Sequence, residues 1–206
     1  MAGERAFLDR VYDLKDKAET LDIYKDWAET YEDDVVGNGY VTPARTAAAM
    51  ANAVADKDAP LLDISCGTGL SGVALHEAGF STVDGTDFSE EMIAIAATKG
   101  IYRQLLPGDL TRPLPGGPDD YANYAAIGVF SPGHGMPDAI PAVVARMRPR
   151  GCFGFSLNEH TLKDPEYMEV VGRLVEAGET ELVFDEYGDH LTGLGSKSRI
   201  VVLRKI

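Results

Sequence analysis

The sequence predicts an α/β protein with a seven-stranded, mostly parallel sheet, helices on both faces and a closing antiparallel hairpin. Three observations carry that expectation. Short apolar runs alternate with amphipathic stretches from Pro60 onward. The first run passes through a glycine turn directly into a helix, and the last two runs are separated only by the polar connection DHLTGLGSK. Strict alternation demands crossover connections and hence parallel strands, whereas so short a connection permits only an antiparallel return.

At the front, Phe7, Val11, Leu14, Ala18 and Leu21 recur at helical spacing, and Tyr24, Ala28, Tyr31 and Val35 continue the stripe until Gly37-Asn38-Gly39 stops it. Thr42-Pro43 opens an alanine-rich helix to about Asp56, which completes a helical cap over residues 1–56 of a single domain, 1–206. The core, 60–206, begins with a strand at Leu61–Ser65, the turn Cys66–Gly69 and a helix over Leu70–Ala78 closed by Gly79. A strand through Thr82 and Val83 ends near Asp87. Ser89 then caps a helix from Glu90 to Thr98, whose first turn carries the acids that a helix dipole favours.

Tyr102–Leu106 reads as the third strand and Tyr121–Phe130 as the fourth, with the turn-rich TRPLPGGPDD between them. A helix over Met136–Met147 leads to the fifth strand, Cys152–Leu157, and Pro165 opens a helix ending at Gly178. Thr180–Tyr187 and Ser198–Leu203 alternate as the closing pair of strands.

The bulk composition excludes several functions. A chain of 206 residues with 45% hydrophobic content buries a core without disulfides or metals, and Cys66 and Cys152 form no framework. No apolar run reaches the roughly 20 residues of a membrane span, and the N-terminus lacks the apolar centre of a signal peptide, so a cytoplasmic protein without membrane partners is expected. A formal charge of −14 disfavours nucleic acid, whose binding needs clustered Lys and Arg.

The chemistry concentrates after Leu61. Leu61-Leu62-Asp63-Ile64-Ser65-Cys66-Gly67-Thr68-Gly69 is a buried strand running into a turn where Gly67 and Gly69 let backbone approach a ligand. Asp87, at the end of the next strand, suits the two hydroxyls of a ribose. Asp109, in Gly108-Asp109-Leu110 after the third strand, suits an exocyclic amine such as that of adenine. Phe88 and Met92 are placed to sandwich a purine. Gly67-Thr68-Gly69-Leu70-Ser71-Gly72 also satisfies the dinucleotide pattern G-x-G-x-x-G, so an NAD-dependent oxidoreductase is an alternative. Asp63 argues against it, because a carboxylate at the strand tip repels a diphosphate but suits the ammonium of a methionine moiety. S-adenosyl-L-methionine, cationic at sulfur and without phosphate, is therefore the expected cofactor.

With these residues assembled, the chain resembles the class I S-adenosylmethionine-dependent methyltransferases, whose fold is Rossmann-like. LLDISCGTGLSG is similar to their glycine motif, with Ser65 in place of its first glycine; VDGTDFSEEM resembles the ribose-binding motif and LLPGDLTRPLP the adenine-binding acidic loop. IYKDWAETYEDDV, GYVTPAR, TKGIYRQLLPGDL and IGVFSPGHGMPDAIP resemble the Williams-Beuren-region methyltransferase-like proteins and their bacterial relatives, over roughly Leu21 to Gly154. The resemblance implies that Tyr24, Trp27 and Tyr31 lie on a helix closing over the methionine end of the cofactor; an aromatic stripe that merely packs is the alternative, favoured for Trp27. It places Ser65, Cys66, Leu110 and Gly128 beside the other cofactor residues.

Methyl transfer needs alignment and exclusion of water, and a base only where the acceptor loses a proton. His134, in Ser131-Pro132-Gly133-His134-Gly135 after the fourth strand, is the candidate base, with a plain loop histidine as the alternative. Asn158, Glu159 and His160 follow the fifth strand and either line an acceptor pocket or form a solvated loop; His76 and His190 are expected to be structural or exposed. No Asn-Pro-Pro-Tyr or Asp-Pro-Pro-Tyr follows the fourth strand, and no thiol set or carboxylate/histidine metal array is present. The expected acceptor is an O or N atom of a small molecule. A non-catalytic cofactor-binding protein acting through a partner is the further alternative.

Overall fold

The computed structural model describes residues 30–108, 110, 114–117, 120–131 and 135–206. Its helices are α1 (Tyr31–Gly37), α2 (Thr42–Ala53), α3 (Leu70–Glu77), α4 (Glu90–Thr98), α5 (Ala139–Val144) and α6 (Glu166–Glu176). Its strands are β1 (Leu61–Ile64), β2 (Val83–Asp87), β3 (Leu105–Pro107), β4 (Asn123–Phe130), β5 (Cys152–Asn158), β6 (Thr180–Asp189) and β7 (Lys197–Lys205). The predicted stripe from Phe7 to Ala28 lies outside the described residues.

The seven strands lie in the order β3-β2-β1-β4-β5-β7-β6. Pairs from β3 through β5 are parallel, and β7 runs antiparallel to both β5 and β6. The class I arrangement expected from the sequence is thus the observed one. The chain moves outward from β1 to β3 and then returns to the other side of β1 with β4. A crevice therefore opens above the carboxyl ends of β1 and β4, where ligands of such sheets bind.

The central strands β1, β4 and β5 are buried along nearly their whole length because both faces are covered. Leu61, Ala125, Ile127, Ile200 and Val202 pack with Met50 of α2 and Leu75 of α3 on one face. Leu62, Tyr124, Phe155, Val201 and Leu203 pack with Ile140 of α5 and Tyr167 of α6 on the other. Alternation along β1 puts Asp63 on the Leu61 face, toward α3.

Of the boundaries that differ from the sequence expectation, two have a clear physical cause. β3 starts at Leu105 rather than Tyr102. Tyr102 instead turns inward, its hydroxyl donating to Asp63 at 2.8 Å, and Arg103 forms an ion pair with buried Asp84 at 2.6 Å. α5 covers only Ala139–Val144, half of the expected run. Beyond it the amides of Arg146 and Met147 bond back three residues instead of four, tightening the helix into turns.

Candidate functional site

The turn after β1 has left-handed backbone at three positions: Ser65 (φ 53°), Gly67 (φ 55°) and Gly69 (φ 93°). Glycine adopts this conformation freely, whereas serine does so under strain, which gives a physical reason for a glycine where Ser65 stands. Gly69 leads into α3, and the Cys66 amide bonds to the Thr86 carbonyl at 2.9 Å, tying the turn to β2.

Asp87 makes the second tie. Its Oδ2 accepts from the Gly67 amide at 2.8 Å and its Oδ1 from the Ser89 amide at 2.9 Å. Burial raises its pKa, opposed by these backbone N–H groups, so the carboxylate is held by fixed donors rather than by a cation. Ser89 caps α4 as expected, its Oγ accepting from the Met92 amide at 3.2 Å.

Asp63 sits behind the turn, fully buried, with Oδ2 accepting from Ser71 Oγ at 2.6 Å and from the Tyr102 hydroxyl. Among the described residues no donor reaches Oδ1. Burial pushes its pKa up to about 7, against the two hydroxyl donors and with a smaller push from Asp87.

These elements frame a cleft. Ser65, Cys66, Gly67 and Thr68 form its floor, Asp87, Phe88 and Met92 one side, and Ile127, Gly128 and Val129 of β4 the other; Tyr31, Tyr40 and Pro43 approach from the N-terminal helices. Gly128 interrupts the β4–β5 register with φ 75°, and a Cβ there would stand 2.6 Å from the Tyr40 hydroxyl. The bulge therefore lets Tyr40 reach over the end of β4.

Of the residues expected from the sequence, Tyr31, Ser65, Cys66, Gly67, Asp87, Phe88, Met92 and Gly128 come together in this cleft. Gly69 shapes the turn, Asp63 supports it from behind, and Leu110 packs on the opposite core. Tyr24, Asp109 and His134 lie outside the described residues. Sequence reasoning did not single out Tyr40, Pro43, Thr68 or Tyr102. Tyr40 and Pro43 stand in GYVTPAR, where the spacing alone gives no hint that they reach β4.

A second cleft opens on the same side of the sheet, lined by Asn158, Glu159, His160, Leu162, Lys163, Tyr187, His190, Ser196 and Lys197. His190 is buried, as a structural histidine would be. Its Nδ1 lies 2.8 Å from Thr42 Oγ1, which in turn meets Ser198 Oγ at 3.0 Å. Burial, reinforced by Arg45, pushes its pKa down to about 4, so its imidazole is neutral at pH 7. Its ring meets that of Tyr40 edge-on at 5.3 Å, and this pair forms a wall common to both clefts.

The sheet order and the glycine-turn cleft define a Rossmann-like methyltransferase architecture. Comparison with known proteins places the chain more narrowly. A methyltransferase-domain family model matches residues 61–151. Human methyltransferase-like protein 27 is 30% identical over 180 residues, covering 84% of this chain and 73% of that protein. The chain belongs to the class I S-adenosylmethionine-dependent methyltransferases, and S-adenosylmethionine is its cofactor.

Among solved structures, a TehB-like S-adenosylmethionine-dependent methyltransferase from Corynebacterium glutamicum superposes with a TM-score of 0.61 at 21% identity, over 89% of this chain and 98% of that one. Magnesium protoporphyrin IX methyltransferase from Synechocystis, with bound S-adenosylmethionine, gives 0.60 at 18% identity, over 79% and 78%. Neither the dinucleotide alternative nor the non-catalytic one finds support in these relatives.

The residues present fit the cofactor. Buried, unpartnered Asp63 Oδ1 and Thr68 Oγ1 beside the turn leave polar capacity unused among the described residues, and the left-handed glycines open the backbone. Among the described residues no basic side chain that would suit a diphosphate lines the cleft. Nor is any helix among them long and apolar enough to cross a membrane.

Proposed function

We propose that the protein methylates an oxygen or nitrogen atom of a small-molecule acceptor. The observation that carries this is the adjacency of the two clefts, one on each side of the Tyr40–His190 pair, at the carboxyl side of the sheet. One cleft has the cofactor's chemistry, and the other, built from short connections, is suited in scale to a small ligand.

In the first cleft, Asp87 is the group to accept the ribose hydroxyls, with Phe88 and Met92 flanking the purine and Asp109 taking its amino group. Tyr31, together with Tyr24, covers the methionine end, and Asp63 offers negative charge toward its ammonium. Ser65, Cys66, Gly67 and Gly128 complete the surround, and Gly69 shapes the turn beneath it. When bound, S-adenosylmethionine supplies an electrophilic methyl group on a sulfonium. The chain's own part is to orient the acceptor and to exclude water, for which the aromatic edges of Tyr31 and Tyr40 are suited. Where the acceptor must lose a proton, His134 is the candidate to receive it at an imidazole nitrogen.

The test is to incubate the protein with cell extract and S-adenosylmethionine labelled in the methyl group, then to separate small molecules from protein and nucleic acid. Label in the small-molecule fraction, attached at O or N and abolished by Asp87→Ala, supports the assignment. Label confined to macromolecules overturns it.

A further inference from the structure

In the second cleft the oxygens of Glu159, Asn158 and Ser196 already accept hydrogen bonds, while the Asn158 amide, the Ser196 hydroxyl hydrogen and Lys163 have no acceptor among the described residues. Glu159 is its only carboxylate among the described residues. Oε1 accepts from the Tyr187 hydroxyl at 2.7 Å and Oε2 from the Lys197 amide at 3.1 Å. Asn158 Oδ1 accepts from the Thr161 amide at 2.9 Å, which fixes the side-chain amide so that its NH2 group is the end without a partner among the described residues. Ser196 Oγ accepts from the Leu191 amide at 3.2 Å, leaving its hydroxyl hydrogen to donate. Lys197 is paired with Asp189, but Lys163 has no acidic partner among the described residues.

The wall is also rigid. His190 is held through Thr42 to Ser198, and Arg45 braces the same strand end, donating to the Asp189 carbonyl at 2.6 Å and to Ser198 Oγ at 3.2 Å. A cleft with free donors, one unpaired ammonium and occupied acceptors complements a ligand that mainly accepts hydrogen bonds and carries negative charge.

We propose that this second cleft is the methyl-acceptor site and that its acceptor carries an anionic oxygen group, a carboxylate or phosphate, held by Lys163 and the Asn158 amide. It rests on the small-molecule acceptor proposed above. Tyr40 and His190 then separate the anchored group from the cofactor cleft, and the acceptor must reach past them to the methyl group.

The experiment uses the full chain saturated with S-adenosylhomocysteine, with uptake established first by calorimetry. Benzoate, phenyl phosphate and benzamide are titrated while the imidazole resonances of His160 and His190 are followed by NMR. His76, exposed on α3, is the internal control. Expected is saturable movement of His160 and His190, not His76, with at least one anion binding ten times tighter than benzamide. The tighter anion tells carboxylate from phosphate. Lys163→Gln and Asn158→Asp each weaken that binding tenfold or more with unchanged Tm; Asn158→Asp keeps the acceptor for the Thr161 amide and so preserves the loop. Equal binding of benzamide, no movement at His160 and His190, or undiminished affinity in either variant overturns the assignment. Methyl label found only in macromolecules would instead overturn the small-acceptor proposal, whatever the anions do.

Discussion

The carboxylate of Asp87 accepts a hydrogen bond from the Gly67 amide at 2.8 Å, which ties the end of β2 to the turn after β1. The same carboxylate also fixes the Ser89 amide at the start of α4. Removing it leaves two backbone donors without their acceptor, at a cost of roughly 1–3 kcal/mol for each that stays buried. Asp87→Ala should therefore lower Tm and weaken S-adenosylhomocysteine binding at least a hundredfold by calorimetry. Asp87→Asn keeps one acceptor but points its NH2 group at the other amide, so it should resemble Asp87→Ala in binding and lie between it and the parent in Tm. Binding that survives both changes would remove Asp87 from the cofactor site.

Gly128 and Tyr40 are coupled through space. With φ at 75° and the Tyr40 hydroxyl 2.6 Å from where a Cβ would stand, Gly128→Ala strains the bulge and displaces the ring. The backbone part costs about 1–2 kcal/mol. Tyr40→Phe removes only the clashing oxygen. In a double-mutant cycle on thermal stability, Gly128→Ala should be less harmful when combined with Tyr40→Phe than alone, with a coupling of about 0.5–3 kcal/mol. Strict additivity would mean that the two residues do not meet.

Motifs formed by neighbouring residues were legible; contacts made across the fold were not. The β1 turn, Asp87 and the Ser89 cap stand within short segments whose residue types dictate local backbone, and they can be read in order. Tyr102 reads as the first residue of β3 because its neighbours are strand-like, yet its hydroxyl is committed to Asp63, 39 positions away. His190 meets Thr42 across 148 positions, and Tyr40 reaches β4 only because Gly128 opens a bulge. Periodicity carries no information about such pairings. The β6–β7 connection shows the same division: its shortness announced the hairpin, but not that His190 within it would form a wall between two clefts.

Ser65 offers a change that should stabilise. It holds φ at 53° in the turn, and its side chain has no hydrogen bond among the described residues to offset the strain. Ser65→Gly relieves a left-handed conformation worth about 1–2 kcal/mol, and returns about 0.5–1 kcal/mol through the greater freedom of glycine in the unfolded chain. The net expectation is a gain of under about 1.5 kcal/mol in denaturant unfolding, with cofactor affinity kept. A loss of stability would show that the Ser65 side chain has a role of its own.

Two buried groups give the unfolding free energy opposing pH dependences. The folded-state pKa of Asp63 is raised from 3.8 to about 7, so the folded protein binds the proton more tightly than the unfolded chain. That contribution is fully present below pH 3.8 and is lost as pH rises through about 7. His190 is shifted the other way, from 6.5 to about 4, so the unfolded chain takes up its proton first. Its contribution is present above 6.5 and is lost as pH falls through about 4. Between about pH 4 and 6.5 the two slopes act against each other, and the parent protein should show a shallow profile there. Asp63→Asn retains an oxygen to accept from the Ser71 and Tyr102 hydroxyls but does not titrate. Its stability should rise with pH across that interval, where the parent's is flattened, as measured by urea unfolding at half-unit steps. Identical slopes for the two proteins would mean that Asp63 titrates alike in the folded and unfolded chains, and that its burial beside Tyr102 does not hold the proton.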